Sequence, residues 1–239
     1  MNKVSCIGMG SVVGLAFALG GCSSSPMSSG SDAVTTQAMQ QAMSPDDVIR
    51  DLQRGNERFL DQRLTERAWL GQVRATASGQ YPKAIVLSCL DSRVPPELIF
   101  DQGIGDIFVG RVAGNFENVD MLGSMEFGTA AAGSKAIVVL GHSACGAVKG
   151  AIDDVKLGNL TETLANIQPA VMDASRGRAR GTSGDTAFVD AVVEANVRRT
   201  VADIQSRSPV IADRVASGQL KVVGAVYDLE TGRVTWLDG

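Results

Sequence analysis

Residues 83–93 read KAIVLSCLDSR: an apolar run, entered from Pro82, empties into Cys89, Asp91 and Arg93. A short continuous run rich in β-branched residues predicts a strand buried on both faces. The same grammar returns in KAIVVLGHSACG, residues 135–146, where the run ends at His142 and Cys145. Strands buried on both faces belong to mainly parallel sheets with helices on each side. In such open α/β sheets, functional groups gather beyond the carboxyl ends of the strands.

Working outward, DIFVGR (106–111) and LKVVGAVYD (220–228) read as two further strands. GRVTWLD (232–238) follows the turn residues Glu230, Thr231 and Gly232 and reads as an antiparallel edge hairpin. The expected architecture is therefore α/β, a mainly parallel sheet of four to five strands flanked by helices. Helical patterns occupy 64–77, 121–132, 143–157, 160–175, 185–206 and 209–217, with a polar loop at 175–185 and no internal repeat. An earlier helix has a strong start signal: Ser44 suits the N-cap, Pro45 the first position, and Asp46 and Asp47 the positive end of the helix dipole. Val48, Leu52 and Phe59 share one face of it.

Ahead of Ser44 the composition changes. Residues 1–21 carry Lys3, then an uncharged stretch, and read as a signal peptide. The sequence Leu19-Gly20-Gly21-Cys22 resembles a bacterial lipobox, in which the cysteine is lipidated and becomes the new N-terminus; a plain secretory signal containing Cys22 is the other reading. Residues 22–43, rich in Ser, Thr and Gln, read as a flexible tether, leaving 44–239 as the folded domain. The expected location is exported, as a periplasmic or cell-envelope lipoprotein with a lipid anchor on Cys22. Across 239 residues, 44% hydrophobic and 20% charged, the composition is that of a globular domain. A net charge of −4 and 5% aromatics argue against a nucleic-acid binder.

The chain has four cysteines and one histidine. With Cys6 and Cys22 in the leader, Cys89, His142 and Cys145 remain. His142 and Cys145 are one helical turn apart, so both can face one atom. Two thiolates and an imidazole supply three ligands for zinc and leave a fourth position to water, a carboxylate or substrate, which is the form of a catalytic site. Two plainer readings stand beside it: a satisfied core histidine, and a Cys89–Cys145 disulfide in an exported protein. GHSACGAVKG is glycine-rich but lacks the Gly-Lys-Ser/Thr ending of a phosphate loop.

Taken together, Cys89-x-Asp91-Ser92-Arg93, then PPELIFDQGIGDIFVGRVAGN (95–115), then His142-x-x-Cys145-Gly146 resemble the β-class carbonic anhydrases. The resemblance implies an enzyme interconverting CO2 and bicarbonate, with one Zn2+ per chain, assembling as a homodimer or homotetramer. It implies Cys89, His142 and Cys145 as metal ligands. It also implies two states of Asp91, one paired with Arg93 while water completes the zinc shell, the other binding the metal directly. The candidate catalytic residues are Asp91 and Arg93: zinc hydroxide would be the nucleophile, Asp91 would accept its hydrogen bond, and Arg93 would clamp Asp91 in a bidentate pair. Gly146 is a candidate backbone donor to substrate. No histidine is left over as a proton relay, so buffer, Tyr227 or a carboxylate would serve. The alternatives are a CS2 or COS hydrolase on the same scaffold and a non-catalytic zinc-binding protein.

Overall fold

The structure is a computed structural model that describes residues 30–177 and 179–238. The expected signal peptide, residues 1–21, and Cys22 lie outside the described residues. Five strands form one sheet: β1 (Ala84–Ser88), β2 (Ile107–Arg111), β3 (Ala136–His142), β4 (Lys221–Tyr227) and β5 (Val234–Leu237). The order is β2-β1-β3-β4-β5, parallel throughout except for the antiparallel β4–β5 pair at the edge. This is the architecture expected from the sequence. The helices are α1 (Gln37–Ala42), α2 (Pro45–Leu60), α3 (Trp69–Thr76), α4 (Pro96–Ile99), α5 (Val119–Glu126), α6 (Gly146–Ile152), α7 (Leu160–Ala165), α8 (Gln168–Ala174), α9 (Thr186–Arg207) and α10 (Pro209–Ala216).

Every residue of the central strands β1 and β3 is buried, which is why both read as unbroken apolar runs. Alternate side chains serve opposite faces. Val86, Val138 and Leu140 pack with Val48 and Leu52 of α2 and with Ile99 and Phe100. Ile85, Leu87, Ile137 and Val139 pack against Val197 and Ile204 of α9, Ile211 of α10 and Met125 of α5. A third cluster, with Val148, Ile167, Phe188 and Val192, closes around Cys89 and Cys145.

The α2 start is a full capping box: the Asp47 amide donates to Ser44 Oγ at 3.2 Å and the Ser44 amide to Asp47 Oδ2 at 2.9 Å. Elsewhere the helices depart from their expected bounds. Residues 64–68 are not helical, because the Thr65 amide and Arg67 both bind the buried Asp101 carboxylate. The 121–132 pattern leaves α-geometry after Glu126 and continues as a π-helical turn, Phe127–Ala131. The 160–175 pattern breaks into α7 and α8 ahead of Pro169, which has no amide to carry the ladder through.

The expected tether ending at residue 43 is the larger departure. From Ser31 on, the chain is docked on the body. Ser31 forms a bridge with Arg67, Thr35 Oγ1 donates to Asp106 Oδ1 at 2.6 Å, and α1 follows with Thr36 as its cap. Gln40 is buried, and its side-chain amide donates to the Pro82 and Ala132 carbonyls, both at 2.8 Å. Polar residues that suit a solvated linker serve here as donors to carbonyls next to β1 and β3. Gln40→Ala should therefore lower stability by about 1–3 kcal/mol. Urea unfolding would read this as a lower midpoint at unchanged slope; an unmoved midpoint would mean that residues 31–43 are a tether after all.

Candidate metal centre

Strand β1 ends one residue before Cys89, β3 ends on His142, and Cys145 is the N-cap of α6. The sheet thus delivers three donor atoms to one point at its carboxyl end. The Cys89 and Cys145 sulfurs and a ring nitrogen of His142 lie within 4.8 Å of one another, and the residues are 4%, 1% and 0% exposed. The sulfurs are 3.9 Å apart and unbonded, far beyond the roughly 2.05 Å of a disulfide. His142 Nδ1 is 2.9 Å from the Ser143 carbonyl, the position of a donated N–H. That leaves Nε2 with a lone pair, buried and without a hydrogen-bond partner. It is therefore no satisfied core histidine. An orphaned imidazole nitrogen beside two sulfurs fits a metal ion with one coordination position open.

Local backbone geometry holds the donors in place. Between His142 and Cys145, Ala144 takes φ +53°, the left-handed region that side-chain-bearing residues rarely adopt. The turn is pinned to β4, with the Ser143 amide donating to the Tyr227 carbonyl and the Leu229 amide to Ser143 Oγ, both at 2.9 Å. On the other side, Arg111 at the end of β2 donates through Nε to the Cys89 carbonyl at 2.9 Å and through Nη2 to the Asp91 carbonyl. Arg111 was not singled out from the sequence. The available signal was a basic residue closing a strand-like run, which takes on meaning only once β2 is paired with β1. The Gly114 amide donates to the Cys89 sulfur at 3.4 Å.

The two sulfurs lie within hydrogen-bonding reach of each other. Donation from Cys145 pulls the Cys89 thiol below its ordinary range. Cys145 is pushed up by its bond to the Cys89 sulfur and by burial. Asp91 stands beside the three donors, its Oδ2 3.8 Å from His142 Nε2. Arg93 grips it: Nε to Oδ1 at 2.9 Å, Nη2 to Oδ2 at 2.7 Å, and the backbone amide to Oδ1 at 3.0 Å. That grip holds the Asp91 carboxyl well below the usual carboxylate range. Gly146, the first residue of α6, is exposed. Tyr227 is buried in the apolar cluster with Leu140 and Val234, and burial pushes its phenol up, a poor setting for a proton relay.

A family model described as carbonic anhydrase matches residues 84–234. "Carbonic anhydrase 2" of Mycobacterium tuberculosis is 39% identical over 193 residues, covering 78% of this chain and 90% of that protein. Among solved structures, a β-carbonic anhydrase from Coccomyxa, in complex with acetazolamide, superposes with a TM-score of 0.62 at 30% identity, covering 69% of this chain and 75% of the other. One of two tetrameric β-carbonic anhydrases from Sordaria macrospora superposes with a TM-score of 0.61 at 27% identity, covering 72% of this chain and 92% of the other.

If these three side chains form a metal centre, removing any one should empty it. Cys89→Ser, His142→Ala and Cys145→Ser should each leave metal content far below wild type when purified protein is measured by plasma mass spectrometry. Full retention in any of the three would break the assignment.

Proposed function

Because the chain belongs to the β class of the carbonic anhydrase family and is a carbonic anhydrase, we propose that it interconverts CO2 and bicarbonate with one zinc ion held by Cys89, His142 and Cys145. The observation that carries this reading is the buried donor set itself, two sulfurs and an unpartnered imidazole nitrogen within 4.8 Å. Zinc supplies Lewis acidity, which in carbonic anhydrases brings the loss of a proton from water into the neutral range. Cys89 and Cys145 would hold zinc as thiolates, so loading would release their thiol protons.

Asp91 is the acceptor for the attacking oxygen's proton. Being ionised, it can only accept, so an attacking O–H turns its hydrogen toward Asp91 and its lone pair toward CO2. Arg93 fixes that acceptor by engaging both carboxylate oxygens in a fork. With Asp91 so held, the open coordination position stays available to substrate; without Arg93, the same carboxylate could close it. A homodimer or homotetramer is the assembly we propose, in line with the Sordaria enzymes, which are described as tetrameric.

Removing the orienting pair should spare the metal and slow the reaction. Asp91→Ala and Arg93→Ala should keep zinc while CO2 hydration in stopped flow falls on the order of 10²-fold. A near-normal rate in Arg93→Ala would exclude the clamp.

We also propose export, with Cys22 as the acylated N-terminus. The lipobox-like Leu19-Gly20-Gly21-Cys22 supports this reading. Metabolic labelling with a fatty acid should tag the wild type and not Cys22→Ala. An unlabelled wild type that fractionates as soluble protein would remove the anchor and leave the chemistry untouched.

A further inference from the structure

We propose that Asn196 is a positioning residue for the metal centre: from α9 it fixes the Gly114 peptide so that its amide hydrogen-bonds the Cys89 sulfur. The inference rests on the zinc reading above and adds to it a residue far away in sequence.

Residues 112–115 form a tight turn closed by the Asn115 amide on the Val112 carbonyl at 3.0 Å. Gly114 is its third residue at φ +91°, as a type II turn requires. The turn is stitched to the end of β1, with the Val112 amide donating to Ser88 and the Leu90 amide to Val112, both at 3.2 Å. A side chain at Gly114 is excluded twice, by its φ and by Ile167 Cδ1, 2.4 Å from where a Cβ would stand. Glycine permits the conformation but does not enforce it. Its aim must come from a bond on the other side of its Cα. That bond is Asn196 Nδ2 to the Gly114 carbonyl, 2.7 Å long and buried. Asn196 is only 3% exposed, and α9 is a 22-residue helix packed across the sheet, a rigid base for it.

The chemical consequence lies in the charge on the sulfur. Two thiolate ligands donate heavily to a metal and blunt its acidity. An amide hydrogen held on one of them draws charge back, so the metal polarises its open position more strongly. Asn196 touches neither metal nor substrate; it acts through Gly114.

The test compares wild type, Asn196→Leu and Asn196→Asp, each loaded with cobalt(II) in place of zinc. Asparagine to leucine removes the donor at similar size, and aspartate keeps the shape without the N–H. The sulfur-to-cobalt charge-transfer band should move to longer wavelength in both, because an unbridled sulfur gives up charge more easily. CO2 hydration by the zinc forms should fall about tenfold. A thermal melt run alongside separates this from loosened packing, which lowers the midpoint without moving the band. Folded variants with the wild-type band and rate would overturn the proposal. A measurement on the wild type needs no variant: the Gly114 amide should exchange slowly with deuterium, and rapid exchange would equally overturn it. Failure of the wild type to bind cobalt or zinc would instead overturn the metal reading, and this inference with it.

Discussion

The carboxyl end of the sheet is organised around one constraint: two sulfurs and His142 Nε2, all buried, are held within 4.8 Å of one another. Three donor atoms converge on one point only if the surroundings deny each of them other partners. They do so by making the alternatives inaccessible. His142 is the last residue of a fully buried strand, registered against Tyr227 on β4, and its other ring nitrogen is committed to the Ser143 carbonyl. Cys89 follows a strand registered against both β2 and β3. Cys89 and His142 cannot drift apart without sliding a strand, and a slide of one residue would exchange the faces of the whole core.

The approach to β2 bears a different polar load. Asp101, in the left-handed region at φ +48°, is buried and collects Arg58, Arg67 and Thr65. Those contacts pin the approach to α3 and the loop leading to β2. Removing one partner from such a group costs far more than the intact set contributes. The two clusters are therefore distinct in role. One carries an ionic knot that fixes the chain's path; the other carries three donor atoms converging on one point.

That division explains what the sequence disclosed. Runs buried on both faces, such as 84–88 and 136–142, are legible because their environment is uniform, and the Ser44–Asp47 capping box is legible because it is local. Cys89, His142 and Cys145 were legible because residue chemistry at strand ends is informative even without a partner in view. Gln40, Arg111, Gly114 and Asn196 were not. Gln40 reaches 42 and 92 residues along the chain, and Asn196 reaches Gly114 across 82. Their meaning is a pairing that only the assembled sheet creates. The start of α3 was misread for the same reason, since Asp101, 36 residues from Thr65, competes for its backbone.

The N-terminal arm has a bearing on orientation. Thr35 binds Asp106 just before β2, and Gln40 binds Pro82 just before β1, so the arm runs along the amino ends of the strands. The donor atoms lie at the opposite ends, five residues of strand away or roughly 17 Å. Residue 30 therefore enters the domain on the side away from the donor atoms. Were the chain tethered through its N-terminal segment, as proposed above, the strand ends that carry Cys89 and His142 would be the ends turned away from the tether.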